Sequence, residues 1–118
     1  MNIDDIAAYT GEHAIDGIRF RAARAALGVS SFGMNVLDLD PHNEGHPEHD
    51  HTHDGQEEVY VVLSGTAFLR TSEGEQQLEA GSMVRVAPEV SRKLVTREEP
   101  ARILALGATP GEVFQVTM

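Results

Sequence analysis

The chain has 118 residues and carries 19 acidic against 9 basic side chains, a formal charge of −10. That length suits one domain, leaves no room for a TIM barrel or a dinucleotide-binding domain beside a substrate domain, and the acidity argues against nucleic acid or an anionic membrane surface as partner. It contains no cysteine, which removes thiolate zinc sites, iron–sulfur clusters, disulfide frameworks and cysteine nucleophiles.

The opening stretch MNIDDIAAYTGEH is acidic where a secretory signal would be basic and apolar, and no apolar run approaches the roughly 20 residues of a membrane span. A soluble, cytoplasmic protein is the expectation. Ile3, Ile6 and Ala7 stand at helical spacing, so a short helix is expected over 4–9, stopped at Gly11. Ile18 and Phe20 alternate with Arg19 and Arg21 as in a strand, while the alanines of 24–28 favour a helical turn ended by Gly28. Strands follow at 31–39, 57–63, 66–71, 76–79, 82–87, 91–97, 101–106 and 112–117, with turns expected at Ser64-Gly65, Glu73-Gly74 and Ala80-Gly81 and breaks at Pro88 and Pro100. Roughly eight to ten short strands at this spacing indicate an all-β sandwich or barrel.

In 58–63 one face carries Glu58, Tyr60 and Val62 and the other Val59, Val61 and Leu63. A strand wet on one side alternates apolar with polar, so this second face is expected to be covered, by another subunit or by the N-terminal segment. A homodimer is the favoured expectation.

Five of the six histidines, His42, His46, His49, His51 and His53, fall in HNEGHPEHDHTH. The plain reading is a solvated polar loop that binds metal only adventitiously. Two features point further. His51 and His53 are two apart, so on a strand they share a face with Cα atoms about 6.7 Å apart. Glu58 follows after a short turn, and a carboxylate beside two imidazoles is a set that suits Fe(II), Mn or Zn and leaves positions open. His49 has the same parity but stands about 13 Å from His53 on a straight strand; a bend at His46-Pro47 would let His49 or His46 assist. His13 stands alone and reads as ordinary surface.

Gly45, then five residues, His51-Thr52-His53, four residues, Glu58, six residues and Gly65 resembles the first cupin motif at every fixed position. The run QEEVYVVLSGTA is similar to small single-domain bacterial cupins, and the resemblance reaches over 32–106. It implies one cupin domain over 1–118: a double-stranded β-helix, or jelly-roll barrel, with its core over 17–117 and motif one at 45–65. It also implies a metal at the barrel mouth bound by His51, His53 and Glu58 (Zn, Mn, Fe or Ni), and a frequent dimer.

The second motif, over 81–96, departs from the family pattern. Ala87 stands at its proline, Glu89 at its glycine, Arg92 at its last ligand histidine and Thr96 at its asparagine. A guanidinium has no lone pair to give and stays charged. Pointing inward, Arg92 would pair with Glu58 or fork a carboxylate or phosphate of a ligand; pointing outward it only packs its stem. Tyr60 shares the Glu58 face and lines the pocket or the core. Arg85, out of phase with Val84 and Val86, is expected outside. Two functions follow: a metal-dependent enzyme of dioxygenase or isomerase type acting on a small molecule, or a metal-free module that binds a small anionic or sugar-like ligand through Arg92 and Tyr60.

Overall fold

A computed structural model describes residues 1–113. Antiparallel strands dominate: β1 (Ile18–Arg21), β2 (Gly33–Leu39), β3 (Glu57–Thr71), β4 (Gly74–Glu79), β5 (Met83–Val86), β6 (Lys93–Val95) and β7 (Ala101–Ala108), with one short helix, α1 (Ala23–Leu27). Strand order is β1-β2-β7-β3-β4, with β5 and β6 also pairing β3. The all-β jelly-roll expected from the sequence is the observed fold, with seven strands among the described residues.

β3 organises it. Its first half pairs β7 and β5, and its second half pairs β4 and β6, so one strand serves both layers. The turn expected at Ser64-Gly65 is instead a bulge, where the register against β7 slips between Val62 and Ser64. Gly65 holds φ at 76°, and a Cβ there would stand 1.8 Å from the Pro100 carbonyl oxygen. The glycine therefore permits a close strand crossing, not a chain reversal. Inward residues of β2, β3 and β7, among them Leu37, Leu39, Tyr60, Val62 and Ile103, pack with Leu69, Leu78 and Leu94 into the main core.

α1 resolves the ambiguous 24–28 stretch as helix, closed by Gly28 in the left-handed conformation. The helix expected over 4–9 shrinks to a 3₁₀ turn at Ile3–Asp5, capped by Asn2. Pairing won over spacing there: Ile6 leaves the turn extended and buried against Ala23 and Val36, and Ala8 bridges Arg21. Of the strand expected over 112–117, Glu112 and Val113 are irregular, and 114–118 lie outside the described residues.

The N-terminal segment crosses the outer face of β2 and β7 and is tied down by charge. Arg21 donates to the Ile6 carbonyl at 2.6 Å, and Arg102 donates to Asp4 at 2.6 Å. The buried Asp38 carboxylate accepts from Arg102 at 2.7 Å and Arg21 at 3.0 Å. Burial pushes its pKa up, but the two guanidiniums prevail and hold it below the usual range. This segment covers Val36, Met34 and Leu104. Leu63 and Met83 stay exposed, and Val59 and Val61 are half-buried.

Candidate metal centre at the barrel mouth

Glu58 points into the barrel near the start of β3, in phase with Tyr60 and Val62. The histidine tract comes to it along a different path from the strand expected. His49 bridges Arg92 through two backbone bonds, of 3.1 and 2.9 Å, and the His51 N–H donates to the Pro88 carbonyl at 2.8 Å. The chain then turns, with the Gly55 N–H donating back to the His51 carbonyl at 2.7 Å. His49 and His51 are thus the extended pair, and His53 sits in the turn.

The structure brings together His49, His51 and Glu58. His51 Nε2 lies 3.3 Å and His49 Nε2 3.7 Å from Glu58 Oε1, and one ligand atom from each residue lies within 4.8 Å of the others. His53 is not brought to Glu58. Its side chain is 67% exposed and faces Asp54 at 3.4 Å. The expected His51–His53–Glu58 set therefore gives way to one in which His49 takes the place of His53, because the turn over 51–55 breaks the period-two parity. The tract H-D-H-T-H contains the H-x-H pattern twice, and that repetition was the signal for the earlier register.

Hydrogen bonds at the far side of each ring fix its tautomer. His49 Nδ1 is 2.9 Å from the Pro47 carbonyl. A carbonyl only accepts, so Nδ1 carries the proton and Nε2 of the neutral ring presents a lone pair. His51 Nδ1 is 3.1 Å from Asp54 Oδ1, with the same result. Asp54 is itself held by the Gln56 backbone N–H at 3.1 Å and side-chain amide at 2.9 Å. Such a carboxylate behind a ligating imidazole orients it and raises its basicity; the sequence reading passed over Asp54 as part of a D-G turn. His46 is the opposite case. Its buried Nδ1 accepts the Leu94 N–H at 3.1 Å, so its neutral Nε2 carries the proton. With Nδ1 taken by that N–H, the neutral ring has no lone pair left for its expected auxiliary role. Burial pushes its pKa down to about 4.

Arg92 is completely buried. It donates to the Ala87 carbonyl at 3.1 Å and the His49 carbonyl at 3.5 Å, and stands 3.9 Å from Glu58 Oε1. Its Nε has no partner among the described residues. The side chain points inward but lies behind Glu58, sealed from the cavity, so it backs the carboxylate and does not fork a ligand. The Tyr60 hydroxyl donates to Glu58 Oε1 at 3.0 Å; burial, then the Glu58 charge, push its pKa up and keep it protonated. For Glu58, burial pushes upward, but His49, His51, Tyr60 and Arg92 together hold the carboxyl below its usual range. Glu58 in turn raises His49, against the effect of burial. Arg85 lies outside, paired with Glu57 at 2.8 Å.

The donor set fits a divalent ion. Ligand-atom separations of 3.3 and 3.7 Å are those of groups that each stand about 2.0–2.2 Å from one centre. Arg92 opposes it, since its charge cancels that of Glu58. Binding then rests on lone pairs more than on net attraction.

The site opens into a cavity of about 640 Å³. His46, His49, His51, Gln56 and Glu58 form the polar part of its lining and Ile15, Ile18, Phe20 and Leu37 an apolar part, and Tyr9 and His13 also contribute. The part played by residues 9–20 in walling the cavity left no signal in the sequence beyond the alternation of β1.

A jelly-roll of this size with an imidazole–carboxylate cluster at its mouth defines a small single-domain β-barrel with a polar centre. The sequence profile of the cupin domain matches residues 35–107, and the chain belongs to the cupin family. No curated protein matches it. A cupin-superfamily sugar phosphate isomerase from Silicibacter pomeroyi DSS-3 is similar in structure, with 26% identity and a TM-score of 0.79 over 93% of this chain and 76% of that one. A cupin protein from Bacteroides fragilis shares 25% identity, with a TM-score of 0.67 over 94% and 92% of the two chains. The polyketide cyclase RemF from Streptomyces resistomycificus, at 16% identity and a TM-score of 0.76 over 100% and 84%, is alike in fold. Among the described residues no helix is long and apolar enough to cross a membrane.

Proposed function

We propose that this cupin holds one divalent ion through His49 Nε2, His51 Nε2 and a Glu58 oxygen, and acts on a small molecule in the cavity as a metal-dependent enzyme of isomerase or dioxygenase type. The observation that carries the reading is the convergence of two imidazole nitrogens, each left with a lone pair by its hydrogen bond on the other side, on one carboxylate. Imidazole and carboxylate donors suit Zn, Mn, Fe and Ni alike. A bound ion would supply Lewis-acid polarisation of a ligand oxygen. The chain's own groups do the rest: Tyr60 holds Glu58 in place, His46 donates from Nε2 to a ligand acceptor, and apolar side chains line the space beside them. Similarity to the sugar phosphate isomerase, at 26% identity, supports the isomerase side.

Titrating untagged, metal-stripped protein with Zn(II), Mn(II) or Fe(II) in a calorimeter tests this. His49→Ala, His51→Ala and Glu58→Ala should each weaken binding by about a hundredfold or more, while His53→Ala leaves it nearly unchanged. No uptake by the wild type would remove the metal and leave a second reading, favoured by the 3.9 Å approach of Arg92 to Glu58: a binding module whose carboxylate is neutralised by arginine. The proposal includes a homodimer over the uncovered patch of Val59, Val61, Leu63 and Met83; a monomer in sedimentation at high concentration would sink that part.

A further inference from the structure

The cavity has an apolar and a polar part to its lining. Ile18 and Phe20 of β1 and Leu37 of β2 face the interior, and Ile15, from the segment before β1, lines the same cavity. The polar part is the His49–His51–Glu58 cluster and the His46 ring. Ile15, Ile18 and Phe20 precede residue 35, where the cupin match begins, so the chain's own N-terminal part supplies most of this apolar lining, with Leu37 from within the match.

Charge is distributed just as unevenly. Arg24 of α1 is the one arginine or lysine among the described lining residues, and it donates to the Val29 carbonyl at 3.2 Å. Arg92 is sealed behind Glu58. His46 accepts the Leu94 N–H at Nδ1, so its ring is the uncharged form. A phosphate carries about −1.5 to −2 charges and three strong acceptor oxygens. Among Ile15, Ile18, Phe20 and Leu37 it would find neither a cation nor the cluster of N–H donors that such a group calls for.

The geometry points to an amphipathic ligand with no phosphate on its apolar end: a small molecule with an uncharged ring or chain seated against Ile15, Ile18, Phe20 and Leu37, and a hydroxyl or carbonyl head between Glu58 and His46 Nε2. The volume, about 640 Å³, lies within the roughly 300–1,000 Å³ of pockets that enclose compact organic ligands. The head group rests on the function proposed above, but the apolar body does not. It depends only on the wall, and holds whether or not a metal binds.

Metal-stripped, full-length protein titrated with 1-butanol, 1-hexanol, 1-octanol and glucose 6-phosphate, followed by ¹H–¹⁵N chemical shifts, separates the two. Affinity should rise about fourfold per added methylene until the cavity fills, with the largest shifts at Ile15, Phe20 and His46. Ile15→Ser should flatten that rise. Should that variant fold poorly, contacts between octanol protons and the Phe20 ring in the wild type decide the matter. Affinity independent of chain length, shifts gathered elsewhere on the surface, or tighter binding of glucose 6-phosphate than of octanol would overturn the inference. Because the protein is metal-free, a failed metal titration leaves this result untouched, and the two proposals stand or fall separately.

Discussion

The guanidinium of Arg92 and the carboxylate of Glu58 approach to 3.9 Å in the buried floor of the site, at the place where the cupin pattern puts its last histidine. The pairing sets the character of the centre. It puts a fixed cation where the cupin pattern has a ligand, and it brings the two facing charges to a net of zero.

Arg92→His tests that arrangement directly. The imidazole removes the opposing charge and adds a lone pair, so Zn(II) should bind at least about tenfold more tightly to the variant, a gain of roughly 1.4 kcal/mol. Calorimetry on metal-stripped protein reads the change. An unchanged or weaker affinity would mean that the side chain at 92 does not reach the ligand set.

Asp54 is expected to govern metal affinity without touching the metal. Asp54→Ala frees His51 Nδ1 and should cost about 10–100-fold in affinity, whereas Asp54→Asn, whose amide oxygen still accepts the same proton, should recover part of the loss. The ¹⁵N shifts of His51 report its tautomer independently: the wild-type ring should carry its proton on Nδ1, and the Ala variant should show a mixture. A fixed Nδ1–H tautomer in both would dismiss Asp54 as the orienting group.

His46 makes the fold sensitive to acid. Its folded-state pKa of about 4 lies below the ordinary 6.5, so below pH 6.5 the unfolded chain takes up a proton that the folded chain refuses. Stability should fall as pH drops from about 6.5 to 4 and then level off, by up to about 3 kcal/mol for this group. His49 acts in the opposite sense, since its raised pKa adds stability at low pH that is lost as pH rises through the folded value. Urea titrations of wild type and His46→Asn isolate the first effect, because the Asn oxygen can still accept the Leu94 N–H but does not titrate. Parallel pH profiles for the two proteins would contradict the assignment.

Gly65→Ala should destabilise the protein more than Gly28→Ala does. Both glycines have positive φ, 76° and 77°, and alanine costs about 1–2 kcal/mol in that conformation. Only at Gly65 would the new Cβ also strike a backbone atom, the Pro100 oxygen at 1.8 Å, while Gly28 has open space. Equal urea midpoints for the two variants would show that the strand crossing has room to relax.

The barrel was legible because period-two alternation and turn residues are local signals, and Glu58 followed from its phase with Tyr60 on one strand, whereas Arg92 was singled out by resemblance to the second cupin motif with its direction left open. What misled was also local. Ser64-Gly65 has the composition of a hairpin turn, but its φ serves a bulge whose need arises from Pro100, distant in sequence. His51 and His53 share parity only while the chain stays extended, and the Asp54-Gly55 turn ends that. The 3₁₀ turn at Ile3–Asp5 stops early because Ala8 finds Arg21, a pairing that spacing within the segment could not reveal. Tautomers were invisible as well, since each depends on a carbonyl, a carboxylate or an N–H delivered from elsewhere in the fold.

β2 pairs along its whole length with β7, Met34 lying opposite Leu106 and Leu39 opposite Ala101, although nearly all the intervening chain must be placed first. Closing so large a loop carries its entropic cost before the ladder repays it, which puts proteins of this topology in the millisecond-to-second range of refolding. The cavity wall borne by β1 and the floor borne by β3 meet only through that closure. Recovery of ligand binding after dilution from denaturant should therefore lag the burst of hairpin formation in β3–β4 and coincide with the slowest kinetic phase.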